Sequence, residues 1–366
     1  MNTELANMVE AIAAFGLDGR GFGAGAESRI LPIEVDAEQV SGFIAAIEEN
    51  RILGTAIRAL MEEQLVLPEA GASELTTLHD EAMSASMGAE CVAIRISETL
   101  TNADIEHRVI DGVALAHTGY DDPALRSFEG VSVLVQAADL SRVLDLLAED
   151  GATRISPELR AGFDQRFADS VRLSLEEVAV RVCRTLGPGQ FGVDMFENDL
   201  FVLRRVIGIA GIDLPVLDPT DSLLVACYRL ALGQVEPDLS AIRDVALLAG
   251  ARGKAAFDSA RFDDSVDRWQ GRAVIRRAVR LVERRLGDCL PKELSWYADV
   301  WIDSGDREAL AAYLIEDDDD RETALEVTTF KALPMADRPA FALAVGLSDG
   351  AEPVDRLKEL FSRRRG

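Results

Sequence analysis

Residues 101–205 restrict the fold of this chain more than any other segment, because strand and helix signals alternate there over short distances. The clearest strand signal is VSVLVQ at 131–136, an apolar run that follows Gly130 and precedes Asp139, a good helix-capping residue. Upstream, HRVIDGVALAH at 107–117 predicts a strand that runs directly into the start of a helix. We therefore expect a strand, a helix and a second strand in succession.

The same segment continues with a helix and further strands. Residues 139–150 are predicted to form a helix that Gly151 ends. Residues 170–175 and 178–183 alternate apolar and polar side chains as a pair of strands does, and residues 198–206 are predicted to add another strand. This succession of elements predicts an α+β core with a small mixed sheet.

Helical periodicity precedes this core. Residues 3–15 predict a short amphipathic helix, and GLDGRGFGAGAES at 16–28 predicts a linker or flexible loop. Apolar residues recur at helical spacing over 36–67, with Asp36 as the expected N-cap and Pro68 as the stop. A further helix is predicted over 74–100.

Helical periodicity also follows the core. We predict a helix capped near residues 218–221, one over 239–248 and one over 272–286. Beyond these, residues 324–333 predict an apolar strand or helix, and a terminal helix ends in FSRRRG.

A length of 366 residues is sufficient for two or three packed units at about 150 residues per domain. The patterns divide the chain into five parts. The predicted parts are an N-terminal helix with a glycine-rich linker, a helical region, the α+β core, a helical domain and a mostly helical extension, over residues 1–35, 36–100, 101–205, 206–290 and 291–366.

The composition, the first residues, the lengths of the apolar stretches and the cysteines indicate a globular cytoplasmic protein. Hydrophobic residues make up 48% of the chain and charged residues 28%. The first residues lack the basic start and cleavage site of a secretion signal. A membrane span needs about 20 apolar residues, and the apolar stretch 222–233 is short and contains Arg229. Four scattered cysteines predict free thiols and no structural zinc.

The formal net charge is −26, from 64 acidic residues against 38 Lys plus Arg. At long range this charge repels polyanions, so we expect no nonspecific nucleic-acid binding and no membrane association, and another protein as partner. Arginines cluster locally at 204–205, 276–285 and 363–365, where basic patches are an alternative. Oligomeric state is left open.

The pattern of residues from 109 to 184 resembles the uncharacterised nucleotidyltransferase family of the polymerase-β-like superfamily. In that family an apolar strand ends in Leu-Lys-Gly, and an alanine-rich helix, a Tyr, an Arg, an Asp-x-Asp strand and a helix ending with Gly follow. The resemblance extends over residues 36–286 and implies a nucleotidyltransferase-like core flanked by helical regions. The matching positions are Gly112, Ala114, Leu115, Ala116, Tyr120, Pro123, Arg126, Leu134, Val135, Leu140, Leu144, Leu147 and Gly151.

Every charged position of the family's chemistry differs in this chain. The reaction needs an Asp-x-Asp and a third carboxylate, because two Mg²⁺ ions bridge the triphosphate and activate the attacking hydroxyl. The resemblance places Gly130 and Ser132 at the Asp-x-Asp and Arg181 at the third carboxylate. The family's Lys falls on Asp111, and the His after the third Asp falls on Cys183.

These replacements predict a degenerate member of the family that binds, scaffolds or regulates, without a metal or a cofactor. A guanidinium close to Mg²⁺ costs on the order of 4 kcal/mol per unit-charge pair at an effective dielectric near 20. We expect Asp111 and Arg181 to form an ion pair. The alternative is an active enzyme that uses Mg²⁺ and an NTP with relocated carboxylates; Glu129 is such a candidate, although a solvated loop acid is favoured.

Several other residues allow two interpretations, a structural or solvated role and a binding role. The cleft candidates implied by the resemblance are Gly112, His117, Tyr120, Arg126 and Glu129, with a structural role as the default for His117. The acidic run 316–320 is expected to be a solvated loop rather than a cation or partner site. The glycine-rich 19–25 lacks GK[ST] and is not expected to bind phosphate. A solvated face, or a surface for phosphate or an acidic partner, is predicted at Arg276, Arg277, Arg280 and Arg284.

Overall fold

A computed structural model describes residues 3–17, 32–195, 197–250 and 256–346. The glycine-rich segment 19–25, the terminal helix and the arginines at 363–365 lie outside these residues. No helix of the described part of the chain is both long enough and apolar enough to cross a membrane.

The N-terminal region is helical with one small parallel strand pair. Its elements are α1 Thr3–Ala14, β1 Ile33–Glu34, α2 Val40–Glu49, α3 Leu53–Met61, β2 Leu65–Val66 and α4 Glu69–Asn102. The prediction of one helix over 36–67 is wrong, because the chain turns at Arg51, whose φ is 55°, and then leaves α3 to pair β2 with β1. Pro68 is the N-cap of α4 rather than the stop of an earlier helix.

Helix α4 is a 34-residue support for the core, about 51 Å long at 1.5 Å per residue. Its buried side chains include Val92, Ile96 and Leu100, which pack against one face of the central sheet. The helix begins five residues before the predicted start at residue 74, since Pro68 and Glu69 are well placed at a helix N-terminus.

The α+β core is confirmed, with a seven-stranded mixed sheet. Its elements are β3 His107–Ile110, α5 Asp111–Thr118, β4 Gly130–Val135, α6 Leu140–Glu149, β5 Thr153–Arg154, α7 Phe163–Phe167, β6 Ser170–Leu175, β7 Val178–Cys183, α8 Gln190–Val193, β8 Arg205–Ile209 and β9 Ile212–Val216. The spatial order is β5-β6-β7-β4-β3-β9-β8. The pairs β4/β7 and β3/β9 are parallel and the others antiparallel.

The strand predicted over 198–206 is wrong for residues 198–204, since β8 begins at Arg205. Residues Glu197–Phe201 form a 3-10 helix, and the next strand is β8, which pairs with β9 in a hairpin. The sheet therefore continues to Val216.

The two faces of the sheet bury different partners. On β4, Val131, Val133 and Val135 lie in the cluster that α4 and α6 cover. Leu134 points to the opposite face and packs in the cluster formed by the C-terminal helices. Ser132 shares that second face, since alternate residues of a strand point to the same side.

The register of the strands aligns four residues in one row on this second face. Ser132 is paired with Ile110 on β3 and with Arg181 on β7, and Arg181 is paired with Arg172 on β6. Ser132 and Arg181, which the family resemblance places at two metal-ligand positions, are therefore direct neighbours.

The C-terminal region is helical, as predicted. Its elements are α9 Pro219–Leu232, α10 Leu239–Gly250, α11 Ser259–Arg268, α12 Arg272–Leu286, α13 Lys292–Ser295, α14 Ser304–Ala312, α15 Asp318–Ala332 and α16 Arg338–Val345. Asp218 caps α9 by accepting from Thr220 N. Residues 316–319 are exposed, as predicted, but the loop prediction is wrong for residues 318–320. The Asp317 side chain caps α15 and the next three acids occupy its first turn, where the helix dipole favours them.

Candidate functional site

A cleft of about 740 Å³ opens over the row formed by Ser132, Arg181 and Arg172. Its walls come from the turn between β3 and α5 and from helices α9 and α10. Five arginines line it: Arg51, Arg126, Arg172, Arg181 and Arg229. Five acids line it as well: Asp111, Glu129, Asp169, Asp238 and Asp244. The lining is formally neutral in a chain of net charge −26.

Asp111 lies where the chain leaves β3 and enters α5, with a φ of 59°. Aspartate is one of the few residues besides glycine that adopt this left-handed conformation with little strain. The backbone conformation points its carboxylate to the cleft floor, where the side chain is 20% exposed.

The predicted ion pair between Asp111 and Arg181 is present, with Arg181 Nη2 at 3.4 Å from Asp111 Oδ2. The neighbouring Ser132 also favours the charged form of Asp111 and so lowers its pKa. Burial disfavours the charged carboxylate, but Arg229 and then Arg181 favour it more strongly, so the pKa of Asp111 lies below its usual value. The carboxylate is therefore ionised and committed to arginine.

Arg229, which sequence reasoning did not select, is the closest cation to Asp111. Its Nε donates to Asp111 Oδ1 at 3.2 Å, Nη1 to the Leu186 carbonyl at 3.0 Å and Nη2 to Cys183 Sγ at 3.2 Å. Burial opposes its charge most strongly, but Asp111, Cys183 and Asp169 together outweigh burial, so the pKa of Arg229 is raised. Arg229 is the only charged residue between 222 and 233, and a lone charge in an apolar stretch is the sequence signal that could have identified it.

The positions of the family's metal ligands do not fit Mg²⁺. Gly130 has no side chain, and a Cβ there would lie 2.8 Å from the Ala179 carbonyl oxygen. Ser132 is almost buried, and Arg181 brings a positive charge. Mg²⁺ requires oxygen ligands, and the Asp111 carboxylate already accepts from two guanidinium groups.

Cys183, at the position of the family's histidine, is buried beneath Arg229. Burial raises the pKa of the Cys183 thiol, although Arg229 and Arg181 act in the opposite direction. The thiol is therefore protonated at neutral pH, and it has no role as an exposed nucleophile. Within the described ranges, no group of three or more His, Cys, Asp or Glu side chains is arranged to hold a metal ion.

Arg126 lines the cleft, and its guanidinium binds Asp244 of α10 through Nε and Nη2 at 3.0–3.1 Å. The Tyr120 hydroxyl donates to the same carboxylate at 2.7 Å but is buried outside the lining. This group joins the core to α10. Gly112 is required nearby, since a Cβ there would meet the Phe128 side chain at 2.6 Å.

Two other cleft candidates lie in different surroundings. His117 Nε2 lies 2.7 Å from Glu90 Oε1 on α4, so the ring belongs to the helix packing and is not among the cleft-lining residues. Glu129 is exposed at the edge of the cleft, immediately before β4.

The arginine face of α12 is largely occupied by backbone carbonyl groups. Arg276 and Arg280 both donate to the Ala298 carbonyl, at 3.2 and 2.7 Å, and Arg277 donates to the carbonyls of Ala231 and Val235. Burial lowers the pKa of Arg277. These three guanidinium groups fasten neighbouring loops, which was not predicted, whereas Arg284 is exposed.

The comparison with protein families identifies the family of this chain. The family model described as uncharacterised nucleotidyltransferase matches residues 36–287, more than half of the chain. A crystal structure of an antigenic nucleotidyltransferase-like protein from Paracoccidioides brasiliensis is similar at 15% sequence identity with a TM-score of 0.30, covering 45% of this chain and 78% of that one. No curated protein is significantly similar to the sequence. The chain belongs to the uncharacterised nucleotidyltransferase family.

Proposed function

We propose that this protein is a degenerate nucleotidyltransferase that uses its cleft for binding, as a scaffolding or regulatory subunit, and does not transfer nucleotides. The observation that carries the proposal is the position of Arg181. It stands at the third metal-ligand position, directly beside Ser132 and 3.4 Å from Asp111.

Electrostatics supports the proposal. A Mg²⁺ ion beside Asp111 has to compete with two guanidinium groups that the carboxylate already binds. Each guanidinium repels a nearby cation by on the order of 4 kcal/mol per unit charge at an effective dielectric near 20. One carboxylate cannot offset that repulsion, so the arrangement favours anions over cations.

Backbone packing supports it independently. Even an alanine side chain at Gly130 would collide with the Ala179 carbonyl on β7. The strand pairing that brings Arg181 beside Ser132 also places Ala179 beside Gly130. Gly130 stands at the first position of the Asp-x-Asp. The strand register that positions Arg181 therefore also leaves no room for an aspartate side chain at Gly130.

Another protein is the proposed partner, because a net charge of −26 repels nucleic acids and anionic membranes. Cytoplasmic residence, in which the four free cysteines stay reduced, belongs to the same proposal.

The test is a nucleotidyl-transfer assay with labelled ATP, UTP, GTP and CTP, Mg²⁺ or Mn²⁺, and protein, RNA and small-molecule acceptors. No labelled acceptor is expected, including the protein itself. Labelling that an EDTA control abolishes would contradict the proposal.

The alternative is an active nucleotidyltransferase with relocated carboxylates. Asp169 and Glu129 line the same cleft as Asp111 and are its candidate ligands. Transfer that disappears in Asp169→Asn or Glu129→Gln, but persists in Glu322→Gln on α15, would establish this alternative. If transfer persists in both Asp169→Asn and Glu129→Gln, the activity belongs to a contaminant.

A further inference from the structure

Two arginines face each other on the floor of the cleft. Arg172 and Arg181 are directly paired on the antiparallel strands β6 and β7, so their side chains leave the same face of the sheet. Side chains in such pairs begin about 5 Å apart, and like charges placed in this way destabilise a sheet. Among the described residues, Asp111 is the only carboxylate that contacts either guanidinium group, at 3.4 Å from Arg181.

The guanidinium groups of this pair keep most of their donors available. Arg181 makes one contact with Asp111, at 3.4 Å, which is long for a charged hydrogen bond, and its side chain is 40% exposed. Arg172 is exposed, and among the residues that the structure describes its side chain has no hydrogen-bonding or ionic partner. Two guanidinium forks thus open toward the cleft.

Arg229 adds a third positive charge beneath them. Its three contacts with Asp111, Leu186 and Cys183 fix it in place. Asp111 neutralises one of the three charges, and Asp169, which also lines the cleft, offsets a second. One positive charge remains on the floor.

We infer that Arg172 and Arg181, supported by Arg229, form a metal-independent site for an oxyanion, the phosphate or carboxylate group of a small ligand. Planar guanidinium forks bind both groups through pairs of parallel hydrogen bonds. The bound group relieves the repulsion between Arg172 and Arg181. It also competes with Asp111 for Arg181, whose present contact is the weaker of the two that Asp111 makes.

This inference rests on the proposed function, because a site that binds Mg²⁺ would recruit phosphate through the metal. The two fail in different ways. Nucleotide transfer in the assay above defeats the proposed function, whereas absence of anion binding defeats only the inference.

The experiment is isothermal titration of the full chain with inorganic phosphate and, in a second arm, with citrate, both in EDTA at low ionic strength. We expect one molecule of at least one anion to bind per chain. Binding of phosphate alone identifies a phosphate ligand, and binding of citrate alone a carboxylate ligand. Binding of neither anion overturns the inference.

Variants locate the site. Arg172→Ala removes an exposed side chain and is expected to weaken binding at least about tenfold, a loss of about 1.4 kcal/mol. Arg307→Ala, the matched control, removes an exposed arginine of α14 and leaves binding unchanged. Equal affinity for Arg172→Ala and wild type, or an equal loss in Arg307→Ala, overturns the assignment.

Asp111→Asn gives a change of opposite sign. The amide keeps the shape of the carboxylate, and asparagine also accepts the φ of 59°. Removal of the competing charge is expected to tighten anion binding relative to wild type. Far-ultraviolet circular dichroism checks that each variant is folded, and weaker binding by a folded Asp111→Asn contradicts the site.

Discussion

Arg229 Nε lies 3.2 Å from Asp111 Oδ1, and this bond joins the middle of α9 to the turn between β3 and α5. The two residues are 118 positions apart in the sequence. Both side chains are mostly buried, at 18% and 20% exposure. The bond therefore fixes α9 to the end of β3 at the floor of the cleft.

Arg229→Met is expected to destabilise the protein by about 3 kcal/mol, because Asp111 would keep a buried charge with only the long Arg181 contact. Chemical denaturation in urea measures the loss. Arg58→Met is the matched control: Arg58 pairs with exposed Asp121, and its loss should cost under about 1 kcal/mol.

A double-mutant cycle separates the pair from its surroundings. Asp111→Asn added to Arg229→Met removes the unpaired charge, so the double variant should be less destabilised than the sum of the two single variants. Additive losses would mean that the two residues do not interact in solution.

Gly130→Ala is expected to destabilise the protein by about 2 kcal/mol, the cost of forcing a side chain into packed structure. Its Cβ would lie 2.8 Å from the Ala179 carbonyl. Gly208→Ala on β8 is the control, because a Cβ there meets nothing within 4 Å. Thermal denaturation compares them, and similar melting temperatures for both variants would refute a closed Asp-x-Asp position.

The acidic pair at the start of α9 predicts a loss of stability in mild alkali. Burial, and then the neighbouring Asp218, raise the pKa of Asp221 to about 8, while Arg261 acts in the opposite direction. The folded state thus holds a proton that the unfolded state has released, so this contribution to stability is lost as the pH rises through about 8. The free energy of unfolding should fall by about 1.4 kcal/mol between about pH 7 and pH 9.

Urea titrations across that pH range measure the fall in the free energy of unfolding. The pH range lies above the lowered pKa values of His79 and His107, so these histidines do not titrate within it. Asp221→Asn imitates the protonated side chain and should abolish the slope that Asp221 contributes. An unchanged slope in this variant would assign the pH dependence to other groups.

Much of the core could be predicted from the sequence because its signals are local. The alternation in residues 170–183 predicts the β6/β7 pair, and the run at 131–136 predicts β4. The β8/β9 hairpin was missed because Ala210, with a φ of 51°, occupies a turn position where asparagine or glycine is the usual signal.

The sequence predicts which residues stand at the family's charged positions, but it does not predict which side chains from the C-terminal helices contact them. Asp111, Ser132 and Arg181 follow from the family pattern, and the register brings them together. Arg229 and Asp244 come from helices beyond the core, and only tertiary packing shows that they reach Asp111 and Arg126. The lone charge in the apolar stretch 222–233 marked Arg229 as unusual without naming its partner.

We propose that arginine takes the place of a metal ion in this cleft, and ATP binding with and without Mg²⁺ tests this most directly. Isothermal titration of the full chain should detect no binding that requires Mg²⁺, and any ATP affinity should be the same in EDTA. Micromolar ATP binding that vanishes in EDTA would contradict the account.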